Sequence, residues 1–356
     1  MAEEFQPSHN GQHPAIAVDA MGGDRAPEEV VAGALAAAST HSIPIVLTGQ
    51  AAILQRLLAK HGDAAGLIQI APAEDAIAMG EGALASWRRP RSSVAVACQL
   101  VRRGQAAAIV SAGSTGGIVA TARLRLRSLP GVLRPALTVV LPTRPKPTFL
   151  VDAGAIADPK PEMLLQFAQL GVAYAQIAHG TVAPTVGLLT IGAEPGKGNK
   201  LARRAQELLA APPVHGALPI RFVGNVEGRD LMAGKVDVIV TDGFTGNVAL
   251  KTLEGAASFA ADQLRAVLQG SPAARFGALL QRRGLKEMIG RLDAETYGGA
   301  ALLGLEGTLV IAHGASTARG ISSACVLAQE LVQGQITEKI RERLGPGTRT
   351  HFLRRT

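Results

Sequence analysis

Short apolar runs and helix-length stretches take turns along almost the whole chain, and this alternation limits the fold more than any other feature of the sequence. Residues 236–240, VDVIV, form a compact apolar run suited to a strand buried on both faces. Thr241-Asp242-Gly243 breaks it, Gly246-Asn247 follows, and a helical pattern sets in from Val248. A strand, a glycine-bearing turn and a helix start make a natural anion site, because free N–H groups and the positive end of the helix dipole converge there. Gly243 and Gly246 are expected to let a ligand approach the backbone closely. The same pattern predicts strands over residues 15–19, 43–48, 67–71, 107–111, 136–141, 148–151, 184–190, 220–223 and 308–311. Helices are predicted over 27–40, 51–61, 93–103, 162–179, 200–210, 247–269 and 275–291, with a last one ending near Gln333. The predicted fold class is α/β, with a doubly wound, mainly parallel sheet and ligands at the carboxyl ends of its strands.

The chain has 356 residues, 47% of them hydrophobic and only 3% aromatic, so aliphatic side chains must fill a large core. A single α/β domain is expected over 14–348, with a helical excursion over 265–295. Residues 1–13 are polar and lack the apolar segment of a signal peptide, so a disordered tail is expected there, and a basic tail over 349–356. The uncharged stretch 163–193 contains Gln166, Gln169, Gln176, His179 and Pro184 and divides into a helix and a strand, so no membrane span is expected. With 36 Lys+Arg against 28 Asp+Glu, the net charge of +8 favours acidic partners. Scattered arginines, two Tyr and one Trp argue against nucleic acid. Cys98 and Cys325 give neither a disulfide framework nor metal-ligand spacing and read as buried packing in a reducing cytoplasm. His179 and His215 lack partners at ligand spacing and read as structural or exposed.

Small polar and glycine residues gather just after the predicted strands. They are Asp19, Gly22, Gly23 and Asp24; Ser111, Gly113, Ser114, Thr115 and Gly116; Lys197, Gly198 and Asn199; Gly224, Asn225 and Glu227; Asp242, Gly243 and Asn247; and His313, Gly314 and Ser316. In a parallel sheet these positions share one rim, and a common site there is the expectation. No Walker pattern and no G-x-G-x-x-G follow the first strand, and Gly-Ser-Thr-Gly around Ser114 is not a hydrolase elbow. Nothing calls for a metal or a cofactor.

Taken together, Asp19-Ala-Met-Gly-Gly-Asp24 with Pro27, Ser111-Ala-Gly-Ser-Thr-Gly116, Lys197-Gly-Asn199, Gly224-Asn-Val-Glu-Gly-Arg-Asp230, Thr241-Asp-Gly-Phe-Thr-Gly-Asn247 with Leu250-Lys-Thr252 and Glu254-Gly255, and Tyr297-Gly-Gly-Ala300 with Leu303–Leu309 and His313-Gly314 resemble the bacterial phosphate acyltransferase family of phospholipid synthesis. The resemblance runs in order over residues 14–345. It implies transfer of a fatty acyl group from acyl carrier protein to inorganic phosphate, yielding acyl phosphate. It also implies a homodimer, a fold similar to isocitrate/isopropylmalate dehydrogenases and phosphate acetyltransferases, and a cytoplasmic protein peripherally associated with the inner membrane surface, where a glycerol-3-phosphate acyltransferase would be a partner. The sequence departs from the family's pattern at Gly154–Asp158, where an Ala-Asn pair is usual, and Asp152–Asp158 are given no strong role. It departs also at Pro195-Gly196, where acidic residues are usual, and at Ala312, where Gly is common.

The chemistry needs no Ser or Cys nucleophile. Phosphate is itself an anionic nucleophile, and a thiolate leaves readily because its conjugate acid has a pKa of about 8.5. Positioning can contribute roughly 7–11 kcal/mol of barrier lowering and one oxyanion donor about 3–4 kcal/mol. Lys197 and the backbone N–H groups of Gly113–Gly116 are candidates for phosphate. Asn225 and His313 are candidates for oxyanion contact or proton handling, with Asp242 orienting one of them and Asp19 and Asp24 fixing cationic groups. Gly22, Gly23, Ser111, Ser114, Thr115, Asn199, Glu227, Gly243 and Asn247 complete the expected substrate site. Residues 275–291 mix apolar side chains with a basic face, as a lipid-touching hairpin or a dimer helix would. Two other classes stay open. A related α/β enzyme would turn over acetyl-CoA or need a nucleotide and metal; a scaffold would bind acyl carrier without consuming its thioester.

Overall fold

The computed structural model describes residues 14–61, 66–212, 218–292 and 294–344; the tails expected over 1–13 and 349–356, and His215, lie outside them. The apolar runs become strands β1 (Ile16–Asp19), β2 (Ile45–Gly49), β3 (Ile68–Pro72), β4 (Ala108–Ser111), β5 (Ala136–Leu141), β6 (Thr148–Val151), β7 (Thr185–Leu189), β8 (Arg221–Val226), β9 (Val238–Val240), β10 (Ala300–Leu303) and β11 (Thr308–Ile311). Between them run α1 (Glu28–His41), α2 (Ala51–His61), α3 (Ala85–Arg88), α4 (Ser93–Arg102), α5 (Thr115–Arg125), α6 (Pro161–Ala178), α7 (Lys200–Ala210), α8 (Gly243–Gln269), α9 (Pro272–Leu280), α10 (Arg282–Leu292), α11 (Ala318–Gln333) and α12 (Ile336–Leu344). The helix expected over 275–291 is thus two, parted at Gln281. The glycine-rich stretch after β4 is the start of α5 and not merely a turn.

All strands join one sheet in the order β3-β2-β1-β4-β11-β10-β5-β6-β9-β7-β8, and most neighbours are parallel, as expected. The exceptions lie at the centre. β10 is antiparallel to both β11 and β5, and β5 is antiparallel to β6. This reverses the sheet. β1, β2, β3, β4 and β11 point one way, while β6, β7, β8 and β9 point the other. The expectation that every strand-following loop shares one rim is therefore wrong. Loops after β1, β4 and β11 leave one edge; loops after β7, β8 and β9 leave the opposite edge.

Two apolar layers cover the sheet. One packs α1, α6, α7, α11 and α12 against residues such as Ile16, Val110, Phe149 and Val310. The other packs α4 and α5 over the first half of the sheet and the start of α8 over the second, against Ala17, Ile109, Leu150 and Ile239. On this second face the central strands β5 and β10 lie between the two sets of helices. Cys98 and Cys325 are buried packing, and burial pushes both thiols up to about 12. His179 is exposed just past α6 but sets its ring against Phe149 and Tyr174, and the desolvation on that side lowers its pKa; it holds a packing position with no ligand partner among the described residues. Among the described residues no helix is long and apolar enough to cross a membrane, and no cluster of His, Cys, Asp and Glu could hold a metal ion.

Candidate active site

The three loops on the first edge interlock. Asp19 ends β1 fully buried, accepting the Ser111 Oγ–H at 2.6 Å and the Met21 N–H at 3.3 Å. Burial raises its pKa, against the lowering effect of these donors. Gly22 sits so close to Asp19, Ser111 and the Gly113 nitrogen that a side chain there would collide with all three. The Asp24 N–H donates to Gly314 O at 2.8 Å, tying the β1 loop to the β11 loop. Gly23, with a positive φ of 118°, packs against Ala112 and the Gly314 carbonyl. Asp19, Gly22, Gly23 and Ser111 thus build the loops, and Asp24, Gly113 and Thr115 face the cavity that the loops frame. Ser114 turns away to donate to Glu81 O at 3.0 Å, and Gly116 faces Ala83.

That cavity, of about 490 Å³, lies on the second face of the sheet between α5 and α8. His313, Gly314, Lys251 and Glu254 join Asp24, Gly113 and Thr115 at its mouth. Lys251 and Glu254 arrive because α8 starts at the far edge, after β9, and runs back along the sheet. Lys251 Nζ lies 2.7 Å from Glu254 Oε2 and 2.9 Å from His313 Nε2. His313 Nδ1 accepts the Ala315 N–H at 3.2 Å, which puts a neutral ring's proton on Nε2 and sets that N–H against the donor-only Lys251 ammonium rather than in a hydrogen bond with it. Two donors then converge on the Glu254 carboxylate, 3.7 Å from His313 Nε2. The cluster has more donors than acceptors, and an anion would supply the missing acceptor. Half-burial acts to raise the Glu254 pKa but is outweighed by the hydrogen bonds to His313 and Lys251, which hold it low.

Three helices begin around this cavity, and they differ at their N-termini. Asp242 caps α8 by accepting the Thr245 N–H at 2.8 Å, and Ile156 O accepts the Gly243 N–H. At α11, Glu29 accepts the Ala318 N–H at 2.6 Å, and Glu295 accepts the Thr317 N–H and hydroxyl. No side chain caps α5. Its first turn, carrying Thr115, is the anion site that the geometry supports.

Several expected site residues fall elsewhere. Asp242 is a helix cap, not an orienting carboxylate. Gly243 and Gly246 serve the chain's own packing instead of a ligand, since Cβ atoms there would strike Ile156 O and the Asp152 carbonyl. Asp152 is itself an anchor: buried, with its pKa raised by that burial, it accepts N–H groups from Leu137, Gly154, Ala155 and Ile156. Asn247 lies against Gly154 and lines the cavity's far end. Lys197, Asn199, Asn225 and Glu227 are at the opposite edge, outside the cavity. Asn199 caps α7 through the Ala202 N–H, Asn225 donates to Glu194 O, and Glu227 pairs with Arg229; Lys197 is exposed. The sheet reversal is the physical reason for this separation. Lys251 and Glu254 are the residues that reasoning from loops missed, although both belong to the quoted Leu250-Lys-Thr252 and Glu254-Gly255 signal.

A larger cavity of about 960 Å³ lies beside α1, α6 and α11 and shares Val140, Pro142 and Tyr297 with the first, but it holds none of the expected site residues.

Comparison with known proteins shows the chain's family. The family model described as "Fatty acid synthesis protein" matches residues 15–339. A phosphate acyltransferase of Thermobifida fusca is 63% identical over 95% of this chain and 93% of its own length. One from Thermus thermophilus is 46% identical over 92% of this chain and 98% of its own. Among solved structures, a phosphotransacetylase from Streptococcus pyogenes superposes with a TM-score of 0.57 at 17% identity, covering 90% of this chain and 94% of its own. A 4-hydroxythreonine-4-phosphate dehydrogenase from Klebsiella pneumoniae gives 0.54 at 14% identity, over 90% and 100%. These two likenesses establish the fold alone. The chain therefore belongs to the fatty acid synthesis protein family, alongside the phosphate acyltransferases, and is an acyltransferase.

Proposed function

We propose that the protein transfers a fatty acyl group from the thioester of an acyl carrier protein to inorganic phosphate by direct attack. The observation that carries this reading is the uncapped start of α5 facing Lys251 and His313 across one cavity. Phosphate binds the α5 N–H groups and Thr115, with Lys251 neutralising part of its charge. A phosphate oxygen adds to the thioester carbonyl, forming a C–O bond. The carbonyl oxygen takes up negative charge, which the donors around His313 stabilise. The C–S bond then breaks, the thiolate leaves with the electron pair, and the proton of the attacking hydrogen phosphate goes to it.

The net charge of +8 supports an acidic carrier as donor. A homodimer and an anionic membrane surface belong to the same reading. Phe244, Val248 and Phe259 on α8 and Phe276, Leu279 and Leu280 on α9 are exposed apolar side chains of the kind that a second copy or a lipid surface covers.

The test follows the thioester of purified acyl carrier protein with and without phosphate and identifies the product by mass. Phosphate-dependent thioester loss with acyl phosphate formed is the expected result. Loss without phosphate would make the protein a hydrolase. Turnover of acyl-CoA but not of the carrier thioester would reassign the donor. A bound carrier with an intact thioester would leave a scaffold.

A further inference from the structure

On the cavity's sheet face, α4 and α5 cover the first half and α8 the second, and between them β5 and β10 line the cavity through Leu137, Leu141 and Ala300, which are buried, and Val139, which is part-exposed. Leu137, Val139 and Leu141 alternate along β5 and so present their side chains to one face. β10 pairs Ala300 with Val139, setting a small side chain beside the middle of this row. Leu250 and Leu253 of α8 form the wall. At about 3.4 Å per residue, the row from Leu137 to Leu141 is roughly 14 Å long.

The strip has direction. The register Val139 to Ala300 to Ile311 to Ser111 sets the ends of β11 and β4 level with Val139, so the polar loops that follow them lie toward the Leu141 end. Its Leu137 end meets Ala153, whose N–H donates to Leu137 O at 2.9 Å, close to Gly154 and Asn247. One end of the cavity is thus built for an anion and the rest for hydrocarbon. A two-carbon acyl group would leave most of the strip wet.

We infer that the fatty acyl chain lies along this cavity-lining strip of β5 and β10, carbonyl at the His313 end and tail toward Leu137, and that Val139 and Leu250 govern the chain length accepted. The inference rests on the acyl-transfer reading above and adds the substrate's path. A larger side chain at Val139 blocks the strip midway, where a long chain must pass and a short one need not. Removing Leu250 opens the wall.

The experiment measures kcat/KM for carrier thioesters of 8 and 16 carbons, and KM for phosphate, in wild type, Val139→Phe and Leu250→Ala. For Val139→Phe the 16-carbon value is expected to fall by ~10-fold or more, in the range that hydrophobic pockets achieve, with the 8-carbon value within about twofold and phosphate KM unchanged. Leu250→Ala should shift the ratio toward the longer chain. Affinity for 8- and 16-carbon acyl phosphonates, measured by calorimetry in the same proteins, should follow the same order. An equal loss at both lengths would place the carrier's prosthetic arm, not the acyl tail, on the strip and overturn the inference. If wild type forms no acyl phosphate yet binds the phosphonates with the expected length dependence, the proposed reaction falls and the strip stands. If it turns over both thioesters and Val139→Phe changes neither ratio nor affinity, the strip falls and the reaction stands.

Discussion

Lys251 and His313 reach each other from elements that begin at opposite edges of the sheet, and their side-chain nitrogens lie 2.9 Å apart. With the His313 proton directed to Nε2, the pair presents two donors where Glu254 offers one carboxylate. Such preorganised donors act on developing negative charge without reorganising. Replacing Lys251 with Met is expected to lower phosphate-dependent kcat/KM by roughly 10²–10³-fold, the cost of one such donor. Because Lys251 is exposed, the urea midpoint should stay close to wild type. A variant with wild-type turnover would remove Lys251 from the chemistry.

The α5 terminus makes a separate prediction. Asp242 caps α8, and Glu29 and Glu295 occupy the start of α11, which leaves Thr115 at the uncapped turn. Thr115→Val removes a hydroxyl while keeping shape. Hydrogen bonds to charged groups contribute about 1.5–3 kcal/mol, so phosphate KM should rise by roughly 10–100-fold. KM for the acyl donor should change little. Steady-state kinetics with each substrate varied in turn decides it; equal rises in both constants would mean a distorted loop.

Much of the fold is legible because a buried strand advertises itself. Runs such as Val238–Val240 and Leu309–Ile311 are apolar throughout, with glycine or aspartate within about three residues of each end. Strand direction leaves no such trace. The run AALL of β10 reads as well for a helix as for a strand, yet it and β5 reverse the sheet and send the loops of Lys197 and Asn225 to the other edge. The loops around Asp24, Gly113 and His313 were readable from their composition alone. Lys251 and Glu254, three residues apart on α8, look like any surface ion pair; only the path of the helix brings them to the site.

Gly246 gives a stability prediction. A methyl there would run into the Asp152 carbonyl oxygen, and Asp152 is held by four backbone donors, so neither side can yield. Overpacking of this kind costs about 1–3 kcal/mol and sometimes more. Gly246→Ala should lower the urea midpoint accordingly. Gly255→Ala, at a position with open space around it, should not, because a helix favours Ala over Gly. Equal behaviour of the two would mean that the 152–156 loop moves freely.

Asp19 makes the pH prediction. Burial raises its carboxyl pKa in the folded protein, and the Ser111 and Met21 donors offset only part of that. The native state therefore holds its proton to higher pH than the unfolded chain, whose value is about 3.9. Between the two values the folded protein binds more protons, so stability falls as pH rises through that window and stays reduced above it. Asp19→Asn carries no such charge. Its own hydrogen-bond loss is the same at every pH, whereas the wild-type penalty appears only once the carboxylate ionises. The urea midpoint of Asp19→Asn relative to wild type should therefore improve as pH is raised from about 4 to 8. A difference that stays flat over that range would mean Asp19 ionises in the fold as easily as in water, and the Ser111 hydrogen bond alone would then account for its place beneath the loops.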